Sequence, residues 1–134
     1  MAVLDVHLVT PEREVWGGPA RMVVARGVAG EVGILPGHAP LLVRLAIGVL
    51  RIRDEQGREE AAVVDGGFLH VTSGEGGTRV DVLAAYAELA REIDLRAAEA
   101  RVEQAQARLR EAEDAEARAE LAKALARVEL SRAR

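Results

Sequence analysis

Three histidines and two serines are the side chains here that catalysis would ask for first, and there is no cysteine. Histidine serves as general base or metal ligand, and serine as a nucleophile only beside such a base. His7 and His70 lie in segments of alternating apolar and polar residues, with no acidic neighbour at triad or metal spacing, so both read as ordinary strand residues. His38 sits in a Gly-His-Ala-Pro turn, where its ring is expected to bond its own loop. Adding Glu31 gives it one companion, fewer ligands than a zinc ion needs. Ser73 and Ser131 have no base near them in sequence. Gly27, Gly30 and Gly33 recur with two residues between them and open no helix, so they make neither a phosphate loop nor a dinucleotide fingerprint. The chain reads as non-catalytic by itself, with no metal and no cofactor.

The stretch from Gly30 to Leu42, Gly-Glu-Val-Gly-Ile-Leu-Pro-Gly-His-Ala-Pro-Leu-Leu, is the most specific local wording. Proline fixes φ near −65° and glycine opens φ > 0, so the run dictates one bent backbone path. Ile34, Leu35, Leu41 and Leu42 are too apolar for a linker. A well-determined turn between two strands is expected.

The elements that must hold this turn divide the chain in two. Every glycine lies at or before Gly77 and every proline at or before Pro40; from Ala84 onward about a third of the residues are alanine. Ala, Leu, Glu, Arg and Gln are strong helix formers, so the second part should be almost wholly helical. The first part is rich in valine and broken by turn signals at short intervals, which reads as all-β. Leu4, Val6 and Leu8 alternate with Asp5 and His7, and 21–26, 48–53, 60–65, 68–72 and 79–83 read alike. Turns are expected at Gly17-Gly18-Pro19, Asp54–Gly57, Asp65-Gly66-Gly67 and Ser73–Gly77. The acidic pairs Asp54-Glu55 and Glu59-Glu60 then flank a solvated hairpin tip. With Trp16, Phe68 and Tyr86 the only aromatics, the core must be Val, Leu, Ile and Ala.

A net charge of −4 leaves no basic footprint for nucleic acid. No apolar run approaches a membrane span and no basic start precedes an apolar leader, so a soluble intracellular chain is expected. The fold class expected is α+β: an N-terminal β-sandwich or flattened barrel over 1–84, then an α-helical hairpin over 85–134. In the helical part Leu95, Ala98, Val102, Ala105, Leu109 and Ala112 form one heptad stripe, resumed by Ala117, Leu121, Ala124 or Leu125, and Val128. Asp114 is placed to cap a second helix. Nothing at 113–115 forces a reversal, and one continuous helix of about 75 Å is the alternative. Pairs such as Glu92–Arg96, and Glu99 and Glu103 against Arg101 and Arg108, read as helix support.

The run Gly30–Leu42, continued by Leu45, Gly48, Val49, Arg51 and Ile52, closely resembles the epsilon-subunit family of bacterial F-type ATP synthases, equivalent to the mitochondrial delta subunit. Gly66-Gly67-Phe68-Leu69-His70-Val71, Val80-Asp81-Val82-Leu83-Ala84, Leu4–Val9 and then Pro11, Glu12 and Val15 follow the family in order and spacing. The resemblance implies a rotor subunit of the central stalk. Its sandwich would dock on the gamma subunit and on the polar loops of the c-ring, with Glu31, Gly37 and His38 as interface residues in a loop running from 31 to 38. It implies helices that rest on the sandwich or extend toward the alpha and beta subunits to block hydrolysis, Lys123 and Arg127 being candidates to meet an acidic segment of beta. A hairpin with no regulatory role is the plainer alternative. Membrane association would come only through the complex, on the cytoplasmic face of the bacterial cell membrane.

Several relatives bind ATP through Ile/Leu-Asp-x-x-Arg-Ala at the start of the first helix. Here Ile93 and Asp94 match, but Arg96 arrives one position early, about 100° around a helix from the motif arginine. Leu125 and Glu129 stand where such relatives carry arginines. Weak or no ATP binding is expected, with Ile93 and Asp94 left for packing and helix initiation. The rival from another class is a free-standing regulatory adaptor whose helices pair with a second chain as a coiled coil. A sugar-binding or hydrolytic sandwich is excluded for want of paired carboxylates and aromatic platforms.

Overall fold

The structure is a computed structural model and describes residues 2–133. Nine strands come first: β1 (Leu4–Val9), β2 (Glu14–Gly27), β3 (Gly30–Ile34), β4 (Leu41–Arg44), β5 (Gly48–Asp54), β6 (Glu59–Asp65), β7 (Phe68–Gly74), β8 (Gly77–Leu83) and β9 (Tyr86–Leu89). A short 3-10 turn, Ala90–Glu92, leads into α1 (Leu95–Glu111) and α2 (Ala115–Arg132).

The strands hydrogen-bond in the order β4-β7-β8-β1-β2-β5-β6-β9, with β3 on β2. The long β2 is the hinge of this sheet. Its first half pairs with β1, and its second half pairs with β3 on one side and β5 on the other. A register shift between Ala20 and Met22 marks the changeover, where an irregularity lets a strand bend between layers. Leu4, Val6, Leu8, Leu69, Val71, Val80 and Val82 from one half join Val23, Ile34, Leu50, Ile52, Val64 and Leu89 from the other in a single buried cluster. The sheet therefore closes on itself as a sandwich, its interior built from Val, Leu, Ile and Ala as the composition requires.

Three local expectations change. Gly17-Gly18-Pro19 is strand, not turn, opposite His7, Val6 and Asp5 of β1. Glu14 reaches back over Gly17 to His7, and a Cβ at Gly17 would collide with that carboxylate. Second, the segment 31–38 is not one loop. Gly30–Ile34 alternates well enough to pair with Val23–Gly27, leaving only residues 35–40 irregular. Third, the helical part does not begin at residue 85. Tyr86–Leu89 adds a strand to β6, because Ala87 and Leu89 alternate into the core between Tyr86 and Glu88.

The helices form an antiparallel hairpin. Asp114 caps α2 by accepting from the Ala117 N–H at 3.1 Å, and its other oxygen accepts from Arg108 of α1 at 2.7 Å. Arg118 grips Glu113 with both nitrogens at 2.8 Å. These contacts sit at a reversal where no glycine or proline stands. At the open end Arg132 donates to Glu99 at 2.8 Å. Ala98 and Ala105 of α1 and Ala117 and Ala124 of α2 are buried in the helical part, small side chains that let the axes approach. α2 rests on β5 and β6, while α1 packs chiefly on α2. The expected Glu92–Arg96 pair does not form: Glu92 lies before α1 and receives Arg13 at 2.9 Å and the Leu89 N–H at 2.9 Å.

Candidate functional site

The loop between β3 and β4 is held by hydrogen bonds rather than by burial. The Gly37 N–H donates to Thr78 Oγ1 at 2.8 Å, and Ser73 donates to the His38 carbonyl at 2.7 Å. Both partners belong to the β7–β8 hairpin. His38 Nδ1 lies 2.8 Å from the Ala39 carbonyl, so it carries the proton and the ring is tied to its own loop. Gly37 needs its φ of +88°, a value that L side chains rarely adopt. Glu31 is elsewhere. It sits in β3 opposite Arg26 and lines a shallow groove with Ala122, Leu125 and Glu129 of α2. The structure brings Gly37 and His38 together and places Glu31 toward the other end of the same edge strand.

The outer face of β4, β7 and β8 carries an apolar group. Leu42, Phe68 and Leu83 are 64%, 48% and 53% exposed. Phe68 lies directly opposite Leu83, and Leu42 opposite His70 one step along. Beside them His7 lies 2.9 Å from Asp5 and 3.0 Å from Glu14. That corrects the expectation that His7 lacks acidic neighbours. Sheet pairing supplies what sequence spacing hides, since Asp81 also stands opposite it on β8. No nucleophile joins the group, and among the described residues no cluster of three or more His, Asp or Glu is arranged to hold a metal ion.

Lys123 and Arg127 point inward. On the outer face of the β6–β9 pair, Asp65 stands opposite Tyr86 and Val63 opposite Glu88. Lys123 Nζ is 3.0 Å from Asp65, and Arg127 Nε donates to Glu88 at 2.9 Å. Both cations lie over the Tyr86 ring, at 5.2 and 5.1 Å from its centre, and the Tyr86 hydroxyl donates to Glu88 at 2.7 Å. Four residues of helix rise about 6.0 Å and two residues of strand about 6.8 Å, so the two spacings match. Burial pushes the Tyr86 hydroxyl above its ordinary value, against the pull of Arg127 beside it. Burial alone would lower Arg127, but the Tyr86 oxygen and the Glu88 carboxylate outweigh it and raise it, keeping the guanidinium charged. Below this group Val63 packs with Ile93, Ala126 and Leu130.

Ile93 is therefore a packing residue in this second cluster, and Asp94 caps α1 by accepting from the Ala97 N–H at 3.2 Å. Sequence reasoning passed over Asp65, Tyr86 and Glu88. The alternation Tyr86-Ala87-Glu88-Leu89 was the available signal, and the alanine-rich context masked it.

A β-sandwich with Leu42, Phe68 and Leu83 exposed on one outer face, followed by a helical hairpin, defines a two-part α+β protein. The description "ATP synthase, Delta/Epsilon chain, beta-sandwich domain" matches residues 3–90, ending one residue past β9. The chain is similar to the ATP synthase epsilon chain of Thermobifida fusca, 49% identical over 105 residues that cover 77% of this chain and 74% of that one. It is also similar to that of Brevibacillus brevis, 43% identical over 106 residues covering 79% and 77%. Among solved structures, a chain of Euglena gracilis mitochondrial ATP synthase superposes with a TM-score of 0.76 at 28% identity, covering 99% of this chain and 81% of that one. The chain belongs to the ATP synthase delta/epsilon family. Among its described residues no helix is long and apolar enough to cross a membrane.

Proposed function

We propose that this chain is a rotor subunit of an F-type ATP synthase central stalk, docking on gamma through its sandwich and restraining hydrolysis through its helices. The observation that carries the reading is the exposed Leu42, Phe68 and Leu83 on one face of an otherwise well-filled sandwich. Large apolar side chains grouped on three neighbouring strands mark a protein-binding face. The docking part would extend through β9 to Leu89 rather than stop at 84, and the two helices would be the regulatory part. Glu31, Gly37 and His38 lie along the edge strand β3 and its loop, which we assign to the polar loops of the c-ring. The Euglena relative was solved in an assembly that includes its c-ring. A loop clipped at two points to a neighbouring hairpin suits a contact that must transmit torque. Association with the cytoplasmic face of the membrane would then come through the complex.

The coiled-coil adaptor is the weaker reading, because Ala98, Ala105, Ala117 and Ala124 are already buried within one chain. Titrating the full chain and its Phe68→Glu variant into the cognate alpha, beta and gamma headpiece tests the proposal. The wild type should bind and slow hydrolysis, and the variant should bind at least about ten-fold more weakly, the loss of one buried aromatic anchor. Equal binding by the two removes the docking face. Binding without slower hydrolysis leaves the docking and removes the brake.

A further inference from the structure

We infer that α2 is held on the sandwich by a two-point charge latch: Asp65 and Glu88, with the Tyr86 ring between them, hold Lys123 and Arg127. This inference deepens the regulatory half of the proposed function and rests on it only for what the freed cations would meet.

The apolar contact under α2 is small. Ala126, Leu130 and Ile93 meet Val63, with Val49, Ala61 and Ala90 partly buried around them. α1 adds little to the sheet contact, so the grip of the hairpin depends on what α2 presents. Lys123 and Arg127 are one turn apart, and their partners are two strand positions apart on neighbouring strands, so both contacts form in one docked register. Their side chains are 14% and 5% exposed, against 32% and 22% for Asp65 and Glu88. The carboxylates face water on one side while the cations are covered. Lys123 also lies 3.6 Å from Glu120 on its own helix, so Asp65 is the partner that ties it to the sandwich, while Glu88 is the carboxylate that pairs with Arg127. A covered charge is costly to part from its partner.

The same two cations cannot serve Asp65 and Glu88 and a partner's carboxylates at once.

Hydrogen exchange on the intact chain reads the latch directly. In the double variant Asp65→Asn, Glu88→Gln, α2 amides from 122 to 130 should exchange at least about ten-fold faster, equivalent to 1.4 kcal/mol. Amides of β1 and β8 should stay as protected as in the wild type, which separates release of the helix from loss of the sandwich. The reversed pair Asp65→Lys, Lys123→Asp should recover protection that Asp65→Lys alone loses. Unchanged α2 exchange in the double variant overturns the latch and leaves the apolar contacts as the holding force. Loosening of β1 and β8 in step with α2 overturns it too. The same variants added to the headpiece separate the two readings: a freed α2 that does not slow hydrolysis further refutes the brake while the latch stands.

Discussion

The sandwich and the helical hairpin are stabilised by different physics, and the proposed division into anchor and brake rests on that contrast. The sandwich buries Leu4, Val6, Leu8, Ile34, Leu50, Ile52, Leu69 and the valines around them almost completely. The hairpin buries mainly alanines and is tied by the ion pairs Lys123–Asp65, Arg127–Glu88 and Arg132–Glu99, while Arg13–Glu92 and Arg91–Glu60 tie the 3-10 linker before it. Apolar burial contributes about 25 cal/mol per Å², and an alanine methyl offers little area. The sandwich should therefore behave as a rigid base, and the hairpin as a part whose docking is adjustable.

The asymmetry between the two predicts unequal consequences of damage. Leu8→Ala opens a cavity in a completely buried position of β1 and should cost about 2–5 kcal/mol. Because α2 rests on β5 and β6, loss of the sandwich takes the hairpin with it. Denaturation followed by far-ultraviolet circular dichroism should show one transition at lower urea. A helix signal that survives loss of the sandwich would break the comparison.

Ala105→Leu attacks the other region. Ala105 is 3% exposed in α1, and overpacking there should cost about 1–3 kcal/mol. The loss should fall on the helices alone. Exchange should quicken in α1 and α2 while β1 and β8 keep their protection; coupled loosening of all four would show that the hairpin is part of the same cooperative unit.

Acid gives the smallest and most selective effect. Asp114 is held below the usual carboxylate range by the Ala117 N–H and then by Arg108, and Glu113 by Arg118. Glu92 is lowered by Arg13 and by the Leu89 N–H. A carboxylate whose folded value is depressed stabilises the fold above its unfolded value, and that stabilisation fades as pH falls through the folded one. As pH drops below the ordinary values of 4.5 and 3.8, the hairpin turn and the 3-10 linker should loosen before the sandwich does. A pH titration of helical ellipticity should show this, and Asp114→Asn should flatten it. An unchanged titration in that variant would place the acid response elsewhere.

Much of this was legible in residue order. The alternation Leu4-Asp5-Val6-His7-Leu8 gave a strand, and the heptad from Leu95 gave a helix, because each pattern fits one backbone period. Asp114 was readable as a cap, since a short carboxylate before a helical run has few other uses. The interface candidates were less legible. Gly37 and His38 stand in a loop as their residue types imply, but Glu31 belongs to a strand, and only the pairing of β3 with β2 decides that. Gly17-Gly18-Pro19 has the composition of a turn and lies in a strand because it pairs with His7, Val6 and Asp5 of β1. Tyr86–Leu89 is strand because β6 offers it an open edge, in a segment whose alanine content argued for helix.

By itself the sequence determined a β part followed by an α part and an aromatic-poor core. These are consequences of period and composition, which act over a few residues at a time. Only the tertiary structure decided that the helices fold back as a hairpin, that Lys123 and Arg127 turn inward, and that Asp65, Tyr86 and Glu88 receive them. Those facts join residues close in space but as much as 58 positions apart, as in the Lys123–Asp65 pair. Where a charge finds its partner depends on which strands meet, and no local pattern encodes that.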